Sequence, residues 1–215
     1  MTRATTLRQP LTRERATPQR HGMREVLGAE AWSRLPEAVR ERFADTAAET
    51  HYAGAFEVVL ASALGRMFGW LGTMFGTPVA PRTGLNVEAL VRVCPNAHGV
   101  GWEREYRWAD GGSDLVRSTK VVTDEGELIE KLPARLCMPL HTYERDGVLH
   151  FVSRGYYFDL GFGLKLRLPG FFSPGATHVE HIDLGHGWFR FTMTVTHPVF
   201  GVLFFQSGRF CAMEQ

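Results

Sequence analysis

The chain from about Gly84 to Phe210 reads as nearly continuous strand, with polar residues set among aromatic ones. The stretch 188–197 shows the pattern best, because one face carries Phe189, Phe191, Met193, Val195 and His197. Its other face is polar, with Arg190 and three threonines behind Trp188. Side chains of a strand point alternately to opposite faces, so this pattern predicts strands buried on one side. Many such strands make a strongly curved sheet or a barrel with an apolar concave side.

Turn residues divide this region into short strands. Asp110-Gly111-Gly112, Asp146-Gly147 and Gly185-His186-Gly187 are the clearest turns. The predicted strands are 85–93, 99–108, 114–123, 126–132, 135–144, 147–159, 163–168, 177–184, 188–197 and 201–211. Strands at this spacing, without helices between them, are typical of an antiparallel sheet.

The region before the sheet has the three- and four-residue spacing of helices. Leu35, Val39, Phe43 and Ala47 recur every four residues and predict a helix over 35–50. Apolar residues at similar steps predict a second helix from Tyr52 to Phe75. We expect this helix to pack on the sheet or to close the barrel mouth, with an interfacial membrane helix as the alternative. The predicted fold is therefore mainly β with N-terminal helices, and a lipocalin-like barrel and a helix-grip fold both fit.

Composition limits the domain organisation and the partners. The 215 residues suit one domain over 23–215, with a helical segment over 23–77 and antiparallel strands over 84–211. Residues 1–22 are rich in arginine, lack apolar spacing and predict a disordered basic tail. A formal net charge of +1 gives no general attraction to nucleic acid. Three widely spaced cysteines predict no disulfide framework and favour a cytoplasmic location.

Nucleotide and metal signatures are not found in the sequence. It contains no GxxxxGK[ST] motif, no GxGxxG motif and no GxSxG motif, so no cofactor is predicted. His178 and Glu180 share a strand face and could join His197 from the neighbouring strand in a triad of two histidines and a carboxylate. Their spacing matches no standard zinc site, and we therefore predict no metal.

Arg104 is the best candidate for a ligand anchor. It shares a strand face with Trp102 and Tyr106, while the other face of that strand carries Glu103, Glu105 and Arg107. A guanidinium among aromatic rings can stay stacked on them, but it needs an anionic or hydrogen-bonding partner if it is buried. That partner is either a ligand carboxylate or carbonyl, or Glu130 or Glu180 in a structural ion pair. The remaining alternative is an arginine at the barrel rim. The predicted ligand-binding residues are Arg104, Trp102, Tyr106, Ser118, Phe191 and Met193.

Three residues are candidates for acid–base chemistry. Glu130 or Glu180 would have a raised pKa in an apolar cavity and could then exchange protons with a ligand. His197 could act as a general base, or its ring could instead hold the tight turn His197-Pro198-Val199-Phe200-Gly201. A glutamate outside the cavity would have no raised pKa and could not exchange protons with the ligand.

Several short motifs resemble an uncharacterised bacterial domain family. They run from Trp102-x-Arg104-x-Tyr106 through Ser118, Glu130, Leu168-Pro169, Pro174 and Glu180 to Pro198-x-x-Gly201 and Gly208. The resemblance covers about residues 30–211, and Gly54 lies in its opening segment. The same kind of domain also occurs fused behind saccharopine-dehydrogenase-like reductases. This association implies, by analogy only, the metabolism of small organic molecules.

These features predict a protein that binds a small apolar organic ligand in a β cavity. Such a cavity suits cofactor-independent isomerisation, cyclisation or elimination in secondary or lipid metabolism, for which shape and one acid or base suffice. The alternatives are a non-catalytic carrier, and an interaction domain that serves a reductase or a membrane partner. Convergent ionisable groups inside the sheet would favour the enzyme, and an entirely apolar lining would favour the carrier.

Overall fold

A computed structural model describes residues 22–44, 49–73, 81–96 and 99–213. The predicted basic tail therefore lies outside the described residues, apart from Gly22. The helices in these ranges are α1 (Met23–Leu27), α2 (Ala29–Arg34), α3 (Glu37–Phe43) and α4 (Ala63–Thr73). The strands are β1 (Thr50–Ala61), β2 (Gly84–Asn96), β3 (Gly99–Arg107), β4 (Ser113–Val122), β5 (Leu128–Lys131), β6 (Leu136–Arg145), β7 (Val148–Ser153), β8 (Tyr157–Gly161), β9 (Leu164–Arg167), β10 (Ala176–Gly185), β11 (Trp188–His197) and β12 (Gly201–Ala212).

Ten of these strands form a closed antiparallel barrel. Its order is β5-β4-β3-β2-β1-β12-β11-β10-β7-β6, and pairing of β6 with β5 closes the ring. The hairpin β8–β9 is attached to the first residues of β6 and lies outside the ring. The predicted mainly β fold is confirmed, and closure removes the exposed edges that an open sheet would have.

Helices lie at both ends of the barrel. Leu35, Val39 and Phe43 are buried, and Phe43 packs on Trp102 and Phe151 inside the barrel. We call the end covered by α1–α3 the plugged end. At the opposite end, which we call the mouth end, α4 and the segment 168–174 lie over an internal cavity. Among the described residues, no helix is both long and apolar enough to span a bilayer.

The helix predicted from Tyr52 to Phe75 is wrong over its first half, which forms β1. The pairing of β1 with β12 shifts register between Phe56 and Val58. The core residues Tyr52, Phe56 and Val59 are four and three residues apart, and the step of three follows from this irregularity. The spacing imitates a helical period. The second half does form a helix, α4, at the barrel mouth as predicted. The first predicted helix is also shorter, because α3 ends at Phe43 and residues 45–48 lie outside the described ranges.

The close pairing of β1 with β12 requires glycine at position 54. A Cβ atom on Gly54 would lie 2.0 Å from the carbonyl oxygen of Arg209 on β12. We expect Gly54→Ala to destabilise the barrel by about 3 kcal/mol, since either the side chain or the strand pairing must give way. Chemical denaturation measures this change. Gly170→Ala is the matched control, because a Cβ there meets nothing within 4 Å. Equal stability of the two variants would contradict the close approach.

Candidate functional site

The interior of the barrel contains a cavity of about 370 Å³ that reaches toward the mouth end. Most of its wall is apolar and comes from strands, from Phe68 on α4 and from the segment 168–174. The apolar lining is Leu132, Leu136, Met138, Leu168, Phe172, Val179, Phe191, Met193, Val195 and Phe204. Phe191 and Met193 were predicted to contact a ligand, and they line this cavity. A space of this size and lining suits one small apolar molecule.

Three charged side chains from consecutive strands enter the cavity. Arg104 comes from β3, Lys120 from β4 and Glu130 from β5. Lys120 and Glu130 are directly opposite each other in the β4–β5 ladder, and their Nζ and Oε1 atoms are 3.2 Å apart. One carboxylate thus faces two cations, which gives this part of the wall a formal charge of +1.

Burial changes the protonation of this cluster. Burial by itself would raise the pKa of Glu130, but the charges of Lys120 and Arg104 outweigh it and hold that pKa below its usual range. Burial lowers the pKa of Lys120 despite the opposing effect of Glu130. Glu130 is therefore an ionised partner of Lys120 rather than the protonated acid that the sequence predicted. A lysine with a lowered pKa is the better proton-transfer group.

Arg104 lies in the cavity, where Glu130 provides its counter-charge without a direct bond. Its guanidinium carbon is 5.8 Å from the ring centre of Trp102 and 5.7 Å from that of Phe191, within reach of cation–π attraction. It forms no hydrogen bond or ion pair with any described residue, although only 9% of the residue is exposed. The guanidinium therefore has N–H donors available to a ligand in this largely apolar space.

The other predicted ligand-binding residues are buried but do not line the cavity. Trp102 stacks on Phe43 below Arg104. Tyr106 stacks on Phe56 and donates a hydrogen bond of 3.1 Å from its hydroxyl to Gln206 Oε1. Ser118 is buried beside the charged cluster, where its hydroxyl helps to hold the pKa of Glu130 low. These three residues pack behind the residues that line the cavity, and they do not themselves line it.

Glu180 is placed outside the barrel, contrary to the predicted role in the cavity. Thr177, Val179 and His181 are the inward residues of β10, so Glu180 and His178 point outward. An outward carboxylate cannot anchor Arg104 or act on a ligand in the cavity. Of the two glutamates proposed from the sequence, only Glu130 faces the site.

His197 holds a turn and has no free nitrogen for base catalysis. The backbone amides of Val199 and Phe200 donate to its Nδ1 at 3.1 and 3.3 Å. Its proton is therefore on Nε2, which lies 3.2 Å from the carbonyl oxygen of Phe171 and donates to it. The ring thus holds the β11–β12 turn against the segment 168–174 at the mouth end. This is the structural role that the sequence analysis gave as the alternative to base catalysis.

Sequence reasoning missed several polar residues of the cavity, above all Lys120. Tyr156 and Thr177 share a hydrogen bond of 2.7 Å on the cavity wall, and burial raises the pKa of Tyr156 to about 12. The tyrosine thus stays protonated and can offer a hydrogen bond to a ligand. Gln206 lies on the same wall. The inward position of Lys120 was readable from the alternation of β4, but its pairing with Glu130 depends on strand register.

The metal triad considered from the sequence is not formed with His197, because His150 lies beside His178 and Glu180 instead. His150 Nδ1 is 3.0 Å from His178 Nε2 and 3.5 Å from Glu180 Oε1, on the outer wall of the barrel. Possible ligand atoms of all three residues lie within 4.8 Å of one another. Two imidazoles and a carboxylate could hold a first-row divalent ion, but the two rings already hydrogen-bond to each other.

We expect purified, tag-free protein to contain no stoichiometric transition metal, since the His150–His178 hydrogen bond satisfies this cluster without one. Elemental analysis measures the metal content directly. A content near one zinc or iron per chain would contradict the expectation. That result would require loss of the ion in His178→Ala and Glu180→Gln, and its retention in His141→Ala, a neighbouring exposed histidine on the same wall.

Comparison with known proteins places the chain in a family. The family described as “domain of unknown function (DUF4166)” matches residues 35–210, which is most of the chain. The chain belongs to this family. The match spans α3, α4 and all of the barrel strands, so it confirms the resemblance to an uncharacterised domain family and its approximate limits. No curated protein matches the chain, and no solved structure matches it.

Proposed function

We propose that this DUF4166 domain binds an apolar organic molecule that carries a carboxylate or another hydrogen-bond acceptor at one end. The observation that carries the proposal is Arg104, a buried guanidinium that lines the cavity and forms no hydrogen bond or ion pair with any described residue. The apolar wall would bury the body of the ligand, and its acceptor group would pair with the guanidinium. Such a pair would offset both the unpaired donors and the excess positive charge.

The charged cluster favours an active site over a passive container. Lys120 and Glu130 are 3.2 Å apart, and both line the cavity, so a proton can pass between the ligand and the lysine beside a fixed carboxylate. Burial lowers the pKa of Lys120, which brings it closer to the range useful for general acid–base catalysis. Isomerisation, cyclisation or elimination require only such a proton transfer in a shaped cavity. We therefore propose an isomerase, cyclase or lyase of this kind.

A non-catalytic carrier is the second candidate. It is favoured by the predominance of apolar side chains in the lining, since a carrier needs burial and one anchor but no proton transfer. The two candidates share the ligand and differ in the fate of the bound molecule.

Native mass spectrometry of protein purified from its own host tests the proposal. We expect a retained small molecule with an apolar body and one acidic or carbonyl group. Incubation of the loaded protein, followed by analysis of the released compound, separates the candidates. A changed compound that depends on Lys120 supports the enzyme, and an unchanged one supports the carrier. A retained ligand that is polar throughout would contradict both.

A further inference from the structure

Exposed hydrophobic side chains are concentrated at the mouth end of the barrel. Seventeen large hydrophobic residues are exposed in the described part of the chain. Only Leu184, Trp188 and Met213 lie at the plugged end, at the β10–β11 hairpin and after β12. The other fourteen lie on α4, on β8–β9, on the segment after β9 and at the mouth ends of ring strands. An apolar surface around the entrance of an apolar cavity is typical of an interaction site.

The β8–β9 hairpin projects this surface beyond the ring. β8 is antiparallel to β6 and pairs with it only through Tyr157 and Phe158, which face Cys137 and Leu136. Because Leu136 is the first residue of β6, the rest of β8 extends past the mouth end. Phe162 at the hairpin tip is fully exposed, and Leu160, Leu164 and Leu166 are each more than half exposed.

Positive charges accompany these hydrophobic residues. Lys165 and Arg167 alternate with Leu164 and Leu166, and all four residues of β9 are exposed. From 154 to 172 the chain has three basic residues, Arg154, Lys165 and Arg167, against one acidic residue, Asp159, a net charge of +2. Glu125 of the β4–β5 turn also interacts with Lys165, which leaves this surface with a net charge of +1 when it is counted. Apolar side chains that enter the acyl region and basic side chains that remain with anionic headgroups are the combination that binds proteins to membrane surfaces.

The charge also argues against a second copy of the chain as the partner of this surface. β9 is the last strand of the sheet order, and no described strand pairs with its outer edge, so that edge could pair with another β9. Such pairing would bring Lys165 and Arg167 of two chains together, and basic residues on an edge strand oppose that association. An anionic lipid surface is complementary to the same residues.

We propose that the mouth end docks on a lipid surface containing anionic headgroups, through the β8–β9 hairpin and the exposed side chains of the segment 168–174. The cavity would then open toward the membrane, so that an apolar ligand could enter from the lipid without crossing water. Docking rests on the surface alone, whereas ligand entry from the membrane rests on the function proposed above.

Co-sedimentation of the full-length chain with vesicles tests the docking. The vesicles contain equal amounts of phosphatidylcholine and phosphatidylglycerol, with pure phosphatidylcholine as the neutral comparison. We expect stronger binding to the anionic vesicles. The double variant Phe162→Ser and Leu166→Ser should bind at least about tenfold more weakly, since two apolar side chains no longer enter the lipid. Lys165→Gln with Arg167→Gln should remove the preference for anionic vesicles.

The matched control is Leu184→Ser with Trp188→Ser, which changes two exposed hydrophobic residues at the plugged end. We expect this control to bind vesicles like the wild type. Every variant keeps the arginine-rich residues 1–22, so their contribution to binding is the same in all variants. Failure of the wild type to bind, or equal losses in both double variants, would overturn the proposal. So would a dimer in sedimentation velocity that the mouth variants dissociate, since a second copy would then occupy the surface.

The cavity is measured separately by titration with a fluorescent fatty acid in the absence of vesicles. The mouth variants should keep wild-type affinity in this titration, because Phe162 and Leu166 do not line the cavity. Vesicle binding without fatty-acid binding would retain the docking surface and reject the proposed ligand function. Fatty-acid binding without vesicle binding would retain the proposed ligand function and reject the docking surface.

Discussion

Glu130→Gln is expected to destabilise the barrel by about 3–5 kcal/mol, the cost of removing one partner from a buried ion pair. The side chains of Lys120 and Glu130 are 10% and 9% exposed, so water cannot readily replace the lost carboxylate. Lys120 and Arg104 would then share an apolar cavity without a counter-charge. Urea denaturation followed by circular dichroism measures the loss.

Two controls distinguish this effect from a general sensitivity to charge removal. The double variant Lys120→Met with Glu130→Gln should recover most of the stability, because it removes both buried charges of the pair. Glu103→Gln breaks the exposed pairs with Arg117 and Arg92, and the Glu103 and Arg117 side chains are 30% and 61% exposed. It should cost no more than about 1 kcal/mol. A Glu130→Gln variant as stable as the wild type would show that the pair is not held in a dry interior.

Arg104→Met is expected to reduce ligand affinity by about tenfold or more without reducing the stability of the free protein. A charge-assisted hydrogen bond of roughly 1.5–3 kcal/mol is lost with the guanidinium. Methionine keeps much of the aliphatic volume, and it removes a buried charge that forms no direct bond to a described residue. Glu130 keeps its direct ion pair with Lys120. For most buried residues, a substitution lowers the stability of the protein. For Arg104 we expect only the ligand affinity to fall.

Calorimetry and thermal denaturation measure these two effects on the same samples. The matched control is Arg107→Met on the same strand, whose side chain points to solvent and pairs with Glu105. That control should change neither property. A strongly destabilised Arg104→Met variant would instead show that the arginine has a structural partner, and wild-type affinity would show that it is no anchor.

The sequence predicts the barrel walls well because alternation is a local property. On β3 the face with Trp102, Arg104 and Tyr106 was expected to be the apolar one, and all three are buried in the interior. β1 was mistaken for a helix because its irregular pairing with β12 changes the spacing of inward residues from two to three. That irregularity depends on the partner strand and has no signal within residues 50–61.

The site was only partly predictable because it depends on register between strands. Arg104 and Glu130 were both identified, but the pairing of Glu130 with Lys120 follows from the β4–β5 ladder. Glu180 and His197 were assigned from residue type, which does not show the direction of a side chain or the partners of its nitrogens. For β7 both faces are amphiphilic, so Phe151 could not be assigned inward and His150 outward before the fold was known.

The central claim is that the cavity holds an apolar ligand with its acceptor group on Arg104. It is tested most directly by calorimetric titration of the wild type and Arg104→Met with a medium-chain fatty acid and with its methyl ester. We predict that the wild type binds the acid at least about tenfold more tightly than the ester, and that Arg104→Met binds both with similar, weak affinity. Equal preference for the acid in both proteins, or no binding of either compound to the wild type, would contradict the claim.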